Sequence, residues 1–415
     1  MISFIAGTIL HHILIKFKKL KKGSNWHVQL KFKTEFMKTK NIFQLSLILL
    51  CVFIFTSCKK NHVHFCDGDE TLVATTKVFA SGLNNPRGLK FGPDGNLYVA
   101  EGGTGGSNSS TGCEQVGPPV GPYTGSDNGA RISRIDHNGM RTTWVDNLPS
   151  SQTSADQGSL VSGVGDVAFI GNTMYAILAG AGCSHGVPSV PNAVIKINHD
   201  KTWDIVANLS EFQMANPVMH PAPGDFEPDG TWYSMINVGG ALYAVEPNHG
   251  ELDKISLNGN ISRVIDISAT QGHIVPTAQA FYHGNFYVGN LSVFPAVPGI
   301  SSIYKITPGG DISVYATGFN AVLGIAFDQL GGMYVLENFT NNPFPTPGTG
   351  DIVRIDPSGS RQVIVSGLNF PTAMTFGPDG KLYVSVWGFG PPAIGGGEVW
   401  QVSFKCDEIN GAVSK

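Results

Sequence analysis

The chain has 415 residues with 52 Gly, 25 Pro and only 14% charged side chains, a composition of many turns and few solvated helices that favours a large all-β domain. Its net charge of −4 is uneven: nine of the 27 basic residues, but only Glu35 among the 31 acidic ones, precede Cys58, which leaves −12 from Cys58 onward. That balance argues against a nucleic-acid partner, because no basic stripe is present to neutralise phosphates.

Residues 1–36, with a Lys cluster at 16–22, read as an upstream extension without fold content, and Met37 as the start, although an alternative start stays open. Lys38 and Lys40 then precede an apolar run over 42–55 that ends in Thr56-Ser57-Cys58. Too short for a membrane span, the run resembles the h-region of a bacterial lipoprotein signal peptide at 37–57, with Cys58 as the lipidation site. A plain secretory signal or an uncleaved anchor is the alternative. The expected location is the bacterial cell envelope, periplasmic or surface, with membrane attachment through the lipid only. Residues 58–75 read as a linker.

From Thr76 a repeat begins. The stretch from Asn84 through Gly92-Pro93-Asp94-Gly95 to Glu101 reads as two short strands around a tight turn, with Leu89, Phe91, Leu97 and Val99 alternating as half-buried strands do. Its Tyr recurs at Tyr98, Tyr175, Tyr243, Tyr287, Tyr334 and Tyr383, in steps of 77, 68, 44, 47 and 49 residues. The shorter steps are the length of a four-stranded propeller blade, about 40 to 50 residues, and the longer ones a blade plus insertions. Each copy continues with a third strand, such as Arg134-Ile135 or Lys254-Ile255, and an outer strand, such as 361–368. The last copy lacks an outer strand after Cys406, and 76–83 is so like 361–368 that the N-terminal strand is expected to supply it. The prediction is a six-bladed, all-β propeller over 76–406, closed by its N-terminal strand, with a tail at 407–415.

The turns between strands one and two and between three and four are short, whereas long insertions at 102–129, 149–164, 180–192, 210–232, 338–350 and 387–397 all fall on the opposite face. Loops that long in a compact domain are usually functional, so an unknown small molecule or protein is expected to bind there; mere capping of the channel is the alternative. Cys66 and Cys406 meet where the ring closes, and Cys113 and Cys183 lie in insertions of adjacent blades. Of three possible pairings, Cys66 with Cys406 and Cys113 with Cys183 is expected.

The chain resembles the ScyD/ScyE family of propellers, named from the scytonemin gene cluster. The likeness covers about 76–406 and rests on Gly82-Leu83-Asn84-Asn85-Pro86-Arg87-Gly88 with Glu101, Tyr243 through Leu252, Phe286 through Asn290, Tyr334 through Asn338 with Pro343 through Gly350, and Pro371 through Phe376. The resemblance implies an exported six-bladed propeller and no defined reaction. This chain departs from the family at 210–232, where the entrance to blade three is longer.

Three residues after each repeat Tyr stand Glu101, Leu178, Glu246, Asn290, Glu337 and Val386. Equivalent positions on successive blades converge around one mouth, so Glu101, Glu246, Asn290 and Glu337 are candidate ligands for a hard cation such as Ca²⁺. Alternatively, they hydrogen-bond the loops that cover them. Arg87 and Asp166, which open strand one of blades one and two, join Glu246, Asn248, His249, Asn290, Asn338 and Trp387 as ligand-binding candidates. His249 is the best acid or base, while His137, His199 and His283 fall in turns on the other face. No nucleophile and base combine into an acyl-transfer set, so catalytic residues stay unassigned. A binding or scaffolding module is favoured over a metal-dependent, lactonase-like hydrolase or a quinone-dependent sugar dehydrogenase, which rest on fold analogy.

Overall fold

A computed structural model describes residues 19–22, 25–28, 70–222, 226–390 and 393–408, so the signal segment, Cys58 and Cys66 lie outside the described residues. The chain divides into two compact units, 1–62 and 63–415. In the first, Lys19–Lys22 pairs antiparallel with Asn25–Val28, a hairpin where none was expected. Its two-residue Gly-Ser connection is the signal for it, since two-residue loops of this kind join paired strands.

The second unit is a ring of six antiparallel sheets, five of them running outward in chain order and the sixth completed by the N-terminal strand. Strand one, the innermost, is Pro86–Phe91, Val164–Ile170, Ser234–Val238, Pro276–Tyr282, Val322–Phe327 and Ala373–Phe376 in blades one to six. Alternating apolar residues of neighbouring blades fill the seams. Between blades one and two, for example, Ile132, Leu148, Val167, Ala176 and Ile195 form one buried cluster. The repeat tyrosines pack at these seams and serve the turns as well. Tyr98 donates to Asp94 Oδ2 at 3.0 Å and Tyr383 to Asp379 Oδ2 at 3.1 Å, so each Gly-Pro-Asp-Gly turn is tied to the strand that follows it.

Ring closure is by Glu70–Asn84, which supplies the outer strand of blade six against Gly397–Glu408. The pairing reaches Leu83 opposite Gly397 as expected and extends beyond the expected bounds at the other end, to Glu70 opposite Glu408, taking in residues assigned to the linker and the tail. Cys113 and Cys183 are joined, with Cα atoms 5.5 Å apart. Cys406 is also disulfide-bonded, and Cys66, expected as its partner, falls outside the described residues.

The insertions of blade one are more regular than expected. Thr124–Ile135 and Arg141–Gln152 pair beyond the blade, and Asn108–Ser109 and Val161–Ser162 add short strands to that extension. Blade three is entered through a helix, Leu209–Ala215, whose N-terminus is capped by the Asn208 side chain accepting from Glu211 N at 3.1 Å.

Candidate functional site

The first residues of the inner strands are stitched from blade to blade around the channel mouth. Ser234 Oγ donates to Thr277 O at 2.6 Å, Thr277 Oγ1 to Val322 O at 2.5 Å and Thr372 Oγ1 to Pro86 O at 2.7 Å. Asp166 is the stitch of blade two: its carboxylate accepts Val167 N at 2.8 Å and, from blade three, Met235 N at 3.0 Å. A Cβ on Gly88 would collide with that carboxylate, which explains the glycine in Arg87-Gly88. Burial raises the Asp166 pKa.

Arg87 is half-buried beside this ring. Its guanidinium donates to Gly388 O at 2.6 Å and to Val161 O at 2.5 Å, tying blade six to the approach to blade two. Tyr233 reaches across the mouth from blade three to blade six, where its hydroxyl donates to Thr372 O at 2.8 Å. Burial lowers the Arg87 pKa and raises that of Tyr233, on which Arg87 and Asp166 act in opposite directions. Arg87, Asp166 and Tyr233 thus meet at the mouth; the first two were expected there and Tyr233 was not.

The four candidate calcium ligands do not form a ring site, and among the described residues no three His, Cys, Asp or Glu side chains gather as a metal site. Each is held inside its own blade. Glu101 accepts Asn84 N at 2.6 Å and the Arg131 side chain at 2.9 Å, with Ser133 as a further donor. Glu246 accepts Thr231 N at 3.0 Å, and His249 N donates to its other oxygen. Glu337 accepts from Asn320 N and, at 3.1 Å, from Asn320 Nδ2. Asn290 donates to Ile274 O at 2.9 Å and accepts Ser302 N at 2.8 Å. The carboxylates therefore compensate backbone N–H groups just ahead of strand one, an arrangement that does not fit the expected Ca²⁺ ring.

Blade three concentrates the buried charge. His249 Nδ1 lies 3.3 Å from Glu246 Oε2 and against Gln213, with its ring edge on Phe226. Burial lowers its pKa, and Glu246 opposes that shift. Beneath it, Glu251 pairs with Arg263, and Asp253 Oδ2 accepts Trp232 Nε1 at 3.3 Å. Trp232 is wholly buried, so it is a packing residue and not a stacking platform.

Burial, then the neighbouring Asp253 carboxylate, pushes Glu251 up to about 9; burial pushes Asp253 up to about 7. In blade five, burial and a hydrogen bond with Glu337 push Asp351 up to about 8. Burial pushes His185 down to about 4. A carboxyl with a raised folded-state pKa stabilises fully below its unfolded value and loses that contribution as pH rises through the folded one. The lowered His185 works the other way, losing its contribution as pH falls from 6.5 toward 4. His249 and His273 are lowered as well, but the contribution of all three imidazoles is complete above about 6.5, so the raised carboxyls are expected to make the melting temperature fall as pH rises from about 6.5 to about 9. Calorimetry should show the fall flattened in Glu251→Gln/Asp253→Asn; an unchanged slope would contradict it.

The other candidates are dispersed. Asn338 Nδ2 donates to Pro371 O at 2.6 Å, fastening blade five to blade six. Asn248 is buried and its carbonyl accepts Ala222 N at 3.0 Å. Trp387 is half-buried, at φ 54, with its ring edge on Phe370. Not foreseen was a second buried cluster beside the Cys113–Cys183 bridge. Ser151 Oγ lies 2.9 Å from His185 Nδ1, His185 Nε2 lies 3.6 Å from Glu227 Oε2, and Tyr123 donates to Glu227 Oε1 at 2.6 Å. Ser151 and His185 have no exposed surface, so this Ser, His and Glu set joins the insertions of blades one to three and offers no nucleophile to a substrate.

No protein-family model and no curated protein matches the sequence. Among solved structures, the chain is similar to a protein of unknown function from Bacteroides thetaiotaomicron, at 13% identity and a TM-score of 0.50, covering 81% of this chain and 77% of that one. It is also similar to a gluconolactonase from Xanthomonas campestris, at 11% identity and a TM-score of 0.50, covering 82% and 96%. At such identities the likeness speaks for the fold alone.

Proposed function

We propose that this chain is an exported, lipid-anchored binding propeller of the ScyD/ScyE kind that docks a protein partner on its long-loop face. The observation that carries the reading is an apolar crest on the loops of blades four and five. Val293, Phe294, Val297, Ile300 and Phe344 are between 41% and 59% exposed, and Phe294 stacks on Phe339 and Phe344 at 6.1 and 6.2 Å. The two loops are fastened to each other by Ala296 N donating to Pro343 O at 2.8 Å, so the crest is a built surface. Exposed apolar groups gathered on one face mark interaction sites, and aromatic side chains carry much of the energy there.

Glu70–Asn84 begins on the short-turn face, so an anchor that precedes it leaves the crest free for a partner. The hydrolase or dehydrogenase reading has no comparable support. The mouth holds a guanidinium bonded to two carbonyls, and the carboxylates around it are engaged within their blades.

The test is a photo-crosslinking residue at Phe294 in producing cells. A discrete adduct is expected there, lost when Phe344→Ser is added, with the melting temperature close to that of the unaltered chain because both rings are exposed. No adduct, or one indifferent to Phe344→Ser, would overturn the proposal.

A further inference from the structure

The seam between blades one and two departs from the other seams through one residue. In blades one, three, four and five, the turn between strands three and four places Gly139, Gly259, Gly310 and Gly359 at φ between 85 and 91. Three of these turns seat on the outer strand of the preceding blade. A Cβ would stand 2.6 Å from Val206 O at Gly259, 2.6 Å from Val264 O at Gly310, and closer still to Phe79 O at Gly139. Glycine is therefore required there by both conformation and contact.

Blade two has Lys201 in that place, at φ 74, a left-handed conformation that is costly for any residue but glycine. The position it faces on blade one, matching Phe79, Val206 and Val264, is Trp144. The short-turn edge of this seam stays open, although its interior is filled. A cavity of 660 Å³ lies between the two blades, lined by Trp144, Lys201, Tyr98, Phe169 and Lys196 among others, a volume suited to a small organic ligand.

Its walls have a definite chemistry. Trp144 presents a partly exposed ring, backed by Tyr98 at 5.4 Å, and Tyr98 in turn meets Phe169 at 5.3 Å. Lys201 Nζ sits 2.6 Å from the centre of the Trp144 ring, and the Arg134 guanidinium is 5.8 Å from it. Arg134 has a carboxylate partner, Asp94, at 3.4 Å. Lys201 instead rests on the ring, and partial burial and then Arg134 lower its pKa, while Asp94, the carboxylate that lines the same cavity, is taken up by Arg134, Asn96 and Tyr98. Asn172, Thr173 and Asn198 add amide and hydroxyl groups to the rim.

We propose that this cleft binds a sugar acid, with the pyranose ring on Trp144, the carboxylate on Lys201 with Lys196 nearby, and the hydroxyls on the amide rim. The ring displaces the Lys201 ammonium from the tryptophan face, and the ammonium then pairs with the carboxylate, so the strained turn serves to place a cation beside an aromatic platform. The site lies on the short-turn face, apart from the crest, and does not depend on it.

Calorimetric titration of the purified full chain with D-glucuronate, D-glucose and benzoate tests this. Glucuronate is expected to bind, glucose to bind at least about tenfold more weakly for want of the carboxylate, and benzoate to be weaker than glucuronate for want of hydroxyls. Lys201→Met should remove the preference for glucuronate over glucose. Lys201→Gly, which restores the turn of the other blades, should raise the melting temperature while abolishing binding, a pair of effects that misfolding does not produce. Failure of glucuronate to bind, equal binding of glucose, tighter binding of benzoate, or unchanged glucuronate binding in both Lys201 variants would each overturn the proposal.

Discussion

Arg87→Met is expected to lower the unfolding free energy by about 3 kcal/mol, the largest effect of any single substitution at the channel mouth. The guanidinium donates charged hydrogen bonds to Gly388 O and Val161 O, which belong to parts of the chain more than 220 residues apart in sequence. Each such bond is worth about 1.5 to 3 kcal/mol, and a carbonyl left buried without its donor adds to the loss, while release of a half-buried charge offsets part of it. Arg87→Lys should recover less than half, because one ammonium does not reproduce the planar fork that spans both carbonyls. Urea unfolding with an unchanged slope is the measurement. A loss below about 1 kcal/mol would mean that water satisfies the carbonyls and that the mouth is open.

Cys113→Ser/Cys183→Ser is expected to cost about 4 kcal/mol, the chain-entropy value for a bridge that closes a 70-residue separation. The bridge pins the insertion of blade one to that of blade two, next to the buried Ser151, His185, Glu227 and Tyr123 cluster. Because Cys113 is partly exposed and Cys183 exposed, reduction of the unaltered protein should cost at least as much in urea unfolding, since the bridge of Cys406 opens as well. A double variant as stable as the unaltered chain would show that the cluster holds the insertions without the bridge.

Those two features differ in how far they could be read from sequence. The blade count and the closing strand were legible because they rest on residues that do the same job in every copy, and the Cys113–Cys183 pair because both cysteines lie in insertions of adjacent blades on one face. Asp94 with Tyr98 and Asp379 with Tyr383 make the same hydrogen bond, and 76–83 repeats the pattern of 361–368 because both are outer strands. Equal position misled where direction mattered. Glu101, Glu246 and Glu337 end equivalent strands, yet each turns to a backbone N–H 15 to 17 residues earlier, because an unpaired buried N–H next to strand one is the nearer demand. Contacts set by irregular loops were not legible at all. Tyr233 follows the stretch with no repeat, and Tyr123 meets Glu227 across 104 residues without any periodic signal. The loop at 291–300, which carries most of the crest, escaped notice because it is shorter than the insertions that drew attention.

The most direct test of the account is a crosslinking map of both faces in intact cells, with the photo-reactive residue placed in turn at Phe294, Ile300 and Phe344 on the crest and at Met140, Leu257 and Leu330 on the short-turn face. All six side chains are exposed, so access does not bias the comparison. A docking face on the long loops predicts one protein adduct of constant mass from the three crest positions and none from the other three. Adducts from the short-turn face alone, or none from either, would contradict it.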